Sequence, residues 1–527
     1  MSKICLCLTG NTIDQNLKVL EIYRSYADLV ELRVDCLDPD ERFLIRHFPS
    51  QAGLPAILTI RRTMDGGLFT GGEGSRISLF SRGLAFAETD QRRNFAYVDL
   101  EEDLTVPSLE EAARTFGTRI IRSYHSIQGG VEEGIAARLK SLRRTGNEIP
   151  KVAVKPESLK DTLRLYAAAE ATADFDKIIL GMGHYGVSTR ILAEKMGSYI
   201  SYASAIAGIA DKLGDVSGGK RGENSLDESE LPQGAPGQLN PRDLLELYRF
   251  KNISAKTRIF GIAGFPLKAT SSPPFFNRVF TEEELDAVYV PFPAESLDVF
   301  LELANFLNIQ GASITVPHKE EILKSLSSRS AEVQSVGACN TILRTPEGWA
   351  GYNTDTRGFS DSLLNFIDRT SLRGLKITII GAGGAARAVA AEVFRLKGKA
   401  LILNRTQIRA RRLALPYNFK WGAADSAGAD MMEKFSDIII QTTSVGMEPD
   451  IDADPLEDYK FSGKETVMDI IYKPEMTRFL LRARQAGCRV LNGYDMLFRQ
   501  AVYQYKIFTG KTFPARFLNR LNIKEFA

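Results

Sequence analysis

Residues 376–406 read KITIIGAGGAARAVAAEVFRLKGKALILNRT. An apolar run, a glycine turn, a helical stretch and a second apolar run follow one another, the order of a strand–helix–strand unit that holds a dinucleotide. Gly381 permits the tight turn after Ile377–Ile380, Gly383 lets backbone N–H groups approach a pyrophosphate, and Ala386 sits where the helix packs closely on the strand. Ala382, Gly384 and Ala385 complete the turn and the helix start. A carboxylate ending the second strand would accept hydrogen bonds from a ribose 2′-hydroxyl. The chain instead has Arg405, flanked by Asn404 and Thr406, a planar cation suited to a 2′-phosphate. The pattern predicts a Rossmann-type lobe with NADP(H), not NAD(H), as cofactor; a glycine fingerprint alone is also compatible with an ordinary turn.

Around this unit lies more chain than one core serves. At 527 residues, two or three domains are expected. With 44% hydrophobic and 25% charged residues and a net charge of +2, the composition is globular and offers no global field for nucleic acid or a membrane surface. ICLCLTG, from residue 4, enters a strand at once, so neither a signal nor a transit peptide is expected. No apolar run reaches the ~20 residues needed to span a bilayer, and the expected compartment is the cytoplasm. The expected assembly is a monomer or a weak homo-oligomer. Five scattered cysteines and four histidines form no metal-ligand pattern, so no metal is expected; Cys5 and Cys7 fit one face of a strand.

The first half alternates short β-rich runs with helical ones: ICLCLTG, LVELRVD, AILTIR, YVDLE, RIIRSYH, KVAVK, KIILGM and YISYAS. Eight such strands with helices between them predict a (β/α)₈ barrel. GDVSGGKRGENSLDESELPQGAPGQ then breaks the pattern, and its 214–234 portion is expected to be a mobile loop, either a lid over the barrel mouth or an inert insertion. DLLELYRF is expected to close this half as an amphipathic helix, and NISAKT to join it to the strand RIFGIAG. The predicted domains are 1–250, then a substrate lobe at 251–371 completed by 495–527, and a dinucleotide lobe at 372–494.

Side chains at the C-terminal ends of barrel strands converge on one mouth. Glu31 and Arg33, two apart, share a strand face; Arg61, Glu101 and His125 each end a strand, and Lys151 begins the VAV strand. Buried unpaired, such residues cost free energy, so they either pair in a structural ion network or meet a ligand. ELRVD at 31–35, TIRRTMDGG at 59–67, YVDLE at 97–101, SYH at 123–125, PKVAV at 150–154, GMGHYGVSTR at 181–190 and APGQ at 235–238 resemble, in family order, the type I 3-dehydroquinate dehydratases. That resemblance implies that Lys151 forms an imine with the ketone of 3-dehydroquinate, an electron sink that acidifies the adjacent C–H. A lysine does so only when its pKa is lowered, which burial beside cationic residues would achieve. The resemblance makes His125 the acid and base, has Glu31 hold that histidine, and assigns Arg190, Arg33, Arg61 and Gln238 to the substrate. Lys155, before a proline, is the rival lysine. Asp65 replaces the family's usual glutamate and Gly234 its serine, which leaves the lid's contacts open; His184 is expected to pack.

In the second half, TVPHK at 315–319 puts a lysine just after a strand, while NTI at 340–342 and GYNTD at 351–355 place an amide and a carboxylate after later turns. A Lys–Asp pair at a cleft polarises a substrate hydroxyl; alone, a surface salt bridge is the commoner outcome. GFPLKATSSPPFFN, GASITVPHKE, GACNTI, GYNTDTRGF, GAGGAA, NRT, QTTSVGM, DIIYKP and NGYDMLFRQA resemble the shikimate dehydrogenases across 258–510. The resemblance implies that Lys319 and Asp355 are the acid/base pair at the carbonyl of 3-dehydroshikimate, which NADPH reduces to shikimate. It assigns the carboxylate to Thr270 and Ser272, the ring hydroxyls to Thr315, Asn340, Tyr472 and Gln500, and Gly493 to the cofactor. Thr270 stands for the family's serine and Gln441 for its asparagine; His318 is expected to pack.

Both resemblances point to consecutive reactions and to a bifunctional enzyme of aromatic biosynthesis. A dehydrogenase preferring quinate and a non-catalytic metabolite sensor are the alternatives. Fungal quinate-pathway repressors resemble the same pair of domains, but this chain keeps Lys151, His125, Lys319 and Asp355 and has no basic DNA-binding segment.

Overall fold

The structure, a computed structural model, describes residues 1–84, 90, 93–205, 235–267 and 270–520, the last three of these by backbone alone. The expected 214–234 loop and Gly234 lie outside the described residues. The chain divides into two compact units: Met1–Ile259 with Pro273–Leu307, and Phe260–Ser272 with Asn308–Ala527.

In the first unit, eight strands run in parallel: β1 (Lys3–Leu8), β2 (Leu29–Arg33), β3 (Ala56–Thr59), β4 (Tyr97–Glu101), β5 (Arg119–Ser126), β6 (Ile149–Val154), β7 (Ile178–Gly181) and β8 (Ile200–Ser204). Their order is β7-β6-β5-β4-β3-β2-β1-β8, and a parallel bridge between Lys177 and Ser198 links β7 to the start of β8, so the barrel is nearly closed. Residues of alternate parity take opposite sides of each strand. Cys5, Cys7, Leu29, Ile57, Tyr97, Ile121, Ile149, Ala153, Ile178, Leu180, Ile200 and Tyr202 form one apolar cluster inside the ring. Leu6, Leu8, Val30, Leu32, Leu58, Val98 and Leu100 belong to another, shared with helix residues such as Val19, Leu20 and Phe80. Burial on both faces is why these strands read as continuous apolar runs. The inward parity also carries Glu31, Arg33, Thr59, Asp99, Glu101, Ser123, His125 and Lys151 into the interior.

Three expectations need correction here. Lys151 does not begin its strand but is the third residue of β6, because Pro150 keeps the extended path that Ile149 starts. Arg61 lies two residues beyond the end of β3 rather than on it. DLLELYRF gives only a five-residue π-helical stretch, Asp243–Leu247, which ends where Arg249 takes a left-handed φ of 52°.

Pro273–Leu307 is counted with the first unit. Its strand β10 (Ala287–Pro293) packs beside the barrel helix Gly183–Ile191. Glu295 accepts a hydrogen bond from the backbone N–H of Leu159 at 3.0 Å, at the start of the helix Leu159–Glu170 that follows β6.

The second unit holds two sheets. In the first, β9 (Arg258–Gly264) pairs in parallel with β11 (Gly311–Ile314); β11 runs antiparallel to β13 (Thr341–Thr345), which forms a hairpin with β14 (Gly348–Tyr352), and β12 (Leu326–Arg329) pairs in parallel with β14. The second sheet is all parallel: β15 (Lys376–Ile380), β16 (Lys399–Leu403), β17 (Lys420–Gly422), β18 (Ile438–Gln441), β19 (Thr466–Asp469) and β20 (Arg489–Leu491), in the order β17-β16-β15-β18-β19-β20. The chain reverses its direction of sheet growth between β15 and β18, and the carboxyl ends of these two strands frame the crevice in which such sheets bind ligands. The helix Tyr494–Thr509 returns to the first of these sheets: Gln504 accepts from Ser313 at 2.8 Å and donates to Thr341 at 2.9 Å.

Candidate active sites

Inside the barrel the inward polar residues pair layer by layer. Lys151 Nζ donates to Asp99 Oδ2 at 2.8 Å, stands 3.9 Å from Glu31 and lies over the Tyr202 ring, 4.3 Å from its centroid. Asp99 also faces Arg61 at 3.0 Å and accepts from Ser123 Oγ at 2.5 Å. Arg61 reaches Glu101 at 2.7 Å, and Glu101 is held from its other side by the fully buried Arg76, also at 2.7 Å. Burial alone would raise the Asp99 carboxyl, but Arg61 and Lys151 outweigh it and hold the group well below the usual carboxylate range.

His125, on the inward face of β5, makes no such pair. Its Nδ1 is buried without a hydrogen-bond partner among the described residues. Burial, then the cations of Arg61 and Lys151, push the imidazole well below its ordinary pKa, so it is neutral at neutral pH. Glu31, expected to hold this histidine, instead accepts from Thr59 Oγ1 at 2.8 Å and from the Cys7 thiol at 3.2 Å; its strand register places it across from β1 and β3, away from β5. Arg33 is also committed, with Asp35 as a bidentate partner at 3.0 and 2.7 Å. Arg33 and Arg61 are therefore ion-pair network members in this state of the protein.

Arg190 differs from them. Fully buried, it donates to the backbone carbonyls of Gly181 and Tyr202, both at 3.1 Å, and no carboxylate among the described residues pairs with it. Burial pulls its guanidinium down to about 10, which still leaves it charged at neutral pH. Gln238 donates to Cys7 Sγ at 3.2 Å and so lies at the same interior as Glu31. Asp65 pairs with Arg62 at 2.6 Å, Lys155 is exposed, and exposed His184 rests against Tyr185 with ring centroids 4.1 Å apart. Asp99 is the residue that the motif reading passed over. Its signal was present in YVDLE, where Tyr97, Asp99 and Glu101 share one face.

In the second unit, Lys319 Nζ donates to Asp355 Oδ2 at 2.7 Å. Asn340 donates to Asp355 Oδ1 at 2.8 Å and to Thr354 Oγ1 at 2.9 Å, while its own carbonyl accepts from the Thr354 N–H. The amide thus orients the carboxylate, and Thr354 in turn reaches Gln500 at 3.4 Å. Thr315 caps β11 by donating its N–H to Ala263. Thr270 and Ser272 are half-buried neighbours, with the Ser272 N–H on Thr270 Oγ1. Burial raises the Tyr472 hydroxyl, against a hydrogen bond from nearby Ser271. Buried His318 pairs with Glu321 at 2.9 Å, and Gln441 folds its amide back onto Thr443 and Val445, holding the turn after β18.

The glycine turn follows β15 directly. Gly381 has φ +117°, and a Cβ there would meet Thr442 Oγ1 at 2.4 Å, so only glycine fits. Gly383 faces open space, with no atom within 4 Å of a notional Cβ, just before the helix Gly384–Arg395. Ala386 is fully buried against the strand, and Ala382 and Ala385 are half-buried at the turn. The side chain of Lys319 reaches this turn, its Cδ 3.7 Å from the Cβ position of Gly384. Arg405 and Thr406 are exposed after β16, where Asn404 ties down the Thr406 carbonyl at 3.0 Å. Gly493 opens the helix Tyr494–Thr509 at a point where a Cβ would lie 2.0 Å from the Ile470 carbonyl. An open glycine cradle, a helix N-terminus and an exposed guanidinium after the second strand together fit a phosphorylated dinucleotide.

Residues 4–255 match the family model of type I 3-dehydroquinase, and residues 262–342 that of the shikimate dehydrogenase substrate binding domain. The chain is 30% identical to the bifunctional 3-dehydroquinate dehydratase/shikimate dehydrogenase, chloroplastic, of Arabidopsis thaliana, over 97% of this chain and 83% of that protein. It is 36% identical to the shikimate dehydrogenase (NADP(+)) of Caldanaerobacter subterraneus subsp. tengcongensis, over 50% of this chain and 96% of that one. The solved dehydroquinate dehydratase and shikimate dehydrogenase from S. pombe covers 100% of this chain and 98% of its own at 23% identity, with a TM-score of 0.42.

Proposed function

We propose, from the premise that this chain belongs to the bifunctional 3-dehydroquinate dehydratase/shikimate dehydrogenase family, how its own residues carry the two reactions. The protein is a lyase and an oxidoreductase: it dehydrates 3-dehydroquinate to 3-dehydroshikimate and reduces that product to shikimate with NADPH. One observation carries the assignment of residues. Two lysines, each hydrogen-bonded to an aspartate, stand at two different sites, Lys151 near the buried, neutral His125 and Lys319 beside the glycine turn.

In the barrel, Lys151 adds to the ketone of 3-dehydroquinate and the adduct loses water to give an imine. The imine draws electrons from the neighbouring C–H, and neutral His125 takes that proton and returns it to the departing hydroxyl. Its Nδ1, without a hydrogen-bond partner among the described residues, leaves the imidazole available for both transfers. Arg190, a buried cation with no carboxylate partner among the described residues, receives that of the substrate. Arg33, Arg61, Glu31 and Gln238 frame the ring hydroxyls from the positions their ion pairs and hydrogen bonds hold.

In the second unit, Lys319 gives a proton to the oxygen of 3-dehydroshikimate as charge develops there, and Asp355, fixed by Asn340, keeps the ammonium aimed. Thr270 and Ser272 take the carboxylate; Thr315, Asn340, Tyr472 and Gln500 take the ring. Gly381–Ala386 and Gly493 hold the dinucleotide, with Asn404, Arg405 and Thr406 on its 2′-phosphate. When bound, NADPH supplies the reducing equivalents. We further propose the three-part division 1–250, 251–371 with 495–527, and 372–494, and a monomer or weak homo-oligomer. No helix among the described residues is long and apolar enough to cross a membrane. The cytoplasm is proposed on chemistry, since all five cysteines are unpaired thiols.

The test couples the two sites. Purified protein with 3-dehydroquinate and NADPH consumes NADPH; Lys151→Ala abolishes this while reduction of added 3-dehydroshikimate continues. If Lys151→Ala still turns over 3-dehydroquinate, the imine assignment is wrong.

A further inference from the structure

The amine of Lys151 has a carboxylate at hydrogen-bond distance and shares it with the Arg61 cation. Among the described residues its one hydrogen-bonded neighbour is the fully buried Asp99, at 2.8 Å, and its next carboxylate, Glu31, is 3.9 Å away and already occupied by Thr59. Asp99 in turn is shared: Arg61 meets Oδ1 at 3.0 Å and Ser123 donates to the same oxygen, which among the described residues leaves Oδ2 to Lys151. The face of Tyr202 closes another side of the ammonium.

We propose that Asp99 is a catalytic residue of the dehydratase, the counter-ion that holds the Lys151 nitrogen as a cation before the imine forms and keeps the imine protonated after it. The inference rests on the imine reading of Lys151. The balance of the step shows why a fixed carboxylate suits it. Overall an ammonium and a ketone give a protonated imine and water: one ammonium proton passes first to the neutral His125, freeing the lone pair that attacks, the C–N bond forms, the C–O bond breaks, that proton and a second leave in the water, and the third stays on nitrogen. The charge beside Asp99 is therefore +1 on both sides of the step, and the remaining N–H donates to the same Oδ2. Without that carboxylate a cationic nitrogen in a buried site keeps only the more distant Glu31 and the Tyr202 ring among the described residues, and the imine more readily loses its proton and its power to draw electrons. Removal of the substrate proton neutralises the nitrogen, a change that a full counter-ion would oppose. Arg61 and Ser123 moderate this by drawing part of the carboxylate's charge toward Oδ1.

The reading and the inference fail separately. Sodium borohydride added to the full-length protein with 3-dehydroshikimate should leave a reduced adduct on Lys151, located by peptide mass; absence of that adduct sinks the imine and the counter-ion with it. With the adduct present, the alkaline limb of kcat for dehydration in Asp99→Asn should move down by about one pH unit or more, so that kcat falls at least ~10-fold near pH 8 and less near pH 6. A merely structural lesion lowers the curve without moving it, and an unmoved limb overturns the proposal. Should Asp99→Asn not fold, the wild-type protein decides alone. With ¹⁵N-labelled lysine, its adduct with 3-dehydroshikimate should keep the nitrogen signal of a protonated imine to about pH 9, and deprotonation below about pH 8 overturns the assignment.

Discussion

Lys151–Asp99 in the barrel and Lys319–Asp355 in the second unit are the same pair of residue types at nearly the same distance, 2.8 and 2.7 Å. They differ in what surrounds them. The barrel pair is almost sealed, with 5% and 0% of the two side chains exposed, and its aspartate is bound to an arginine and a serine. The second pair keeps 21% and 12% exposed, and its aspartate is bound by a neutral amide and not by another cation. A sealed lysine whose carboxylate is shared can hold charge through a covalent step without exchanging it with water. A partly open lysine on a singly oriented carboxylate can give a proton and recover it from solvent. Burial and the third partner, more than the pair itself, set the chemistry.

The sharpest way to break this contrast is to remove each lysine in turn. Lys319→Met should lower reduction of 3-dehydroshikimate by about 10² to 10⁴-fold and leave dehydration of 3-dehydroquinate unchanged, as followed by product absorbance. Loss of both activities would mean the two sites are not independent. Next in size are the cations without carboxylate partners. Arg190→Gln should cost dehydration about 10- to 100-fold in kcat/KM, and Arg405→Ala should raise the KM for NADPH by a similar factor without weakening NADH. Equal loss for both nucleotides would remove Arg405 from the 2′-phosphate.

A pH profile sharpens the comparison further. Burial and two neighbouring cations lower His125, so the imidazole stays neutral as pH falls through about 6.5 and protonates only below that. The acid limb of dehydratase kcat/KM should therefore lie below pH 6.5; a limb at or above that value contradicts a neutral base in a sealed site. The smallest effect expected is on stability. Burial raises Asp469, at the end of β19, to about 7, against hydrogen bonds from the Ile471 N–H and Thr477. The folded state then keeps a proton that the unfolded chain releases near pH 4, so stability falls as pH rises from about 4 through about 7. Asp469→Asn should raise Tm by ~2–8 °C near pH 8 and change it little near pH 5. An equal gain at both values would show that the carboxyl is not titrating there.

Much of this was legible because it is periodic or stereochemical. The eight parallel strands follow the β-rich runs, since strands buried on two faces must be apolar throughout. The glycine turn sits where Gly381 and Gly383 stand, since no other residue fits the one and open space lies above the other. Pairing was less legible. YVDLE was in view, yet Asp99 went unassigned, because which inward residue meets which depends on the stagger between strands: Thr59 aligns with Asp99, and Ser123 with Lys151. The same stagger carries Glu31 to Thr59 and Cys7 instead of His125.

By itself the sequence determined the two fold types, the shared strand face of Glu31 and Arg33 and the preference for a phosphorylated dinucleotide, because backbone period and glycine geometry are local properties. Only the tertiary structure decided which charges neutralise one another. Among the described residues it left His125 and Arg190 without ion-pair partners while giving Arg33 and Arg61 carboxylates, because Coulombic pairing in a low-dielectric interior depends on distances of a few ångströms across strands that lie tens of residues apart in the chain.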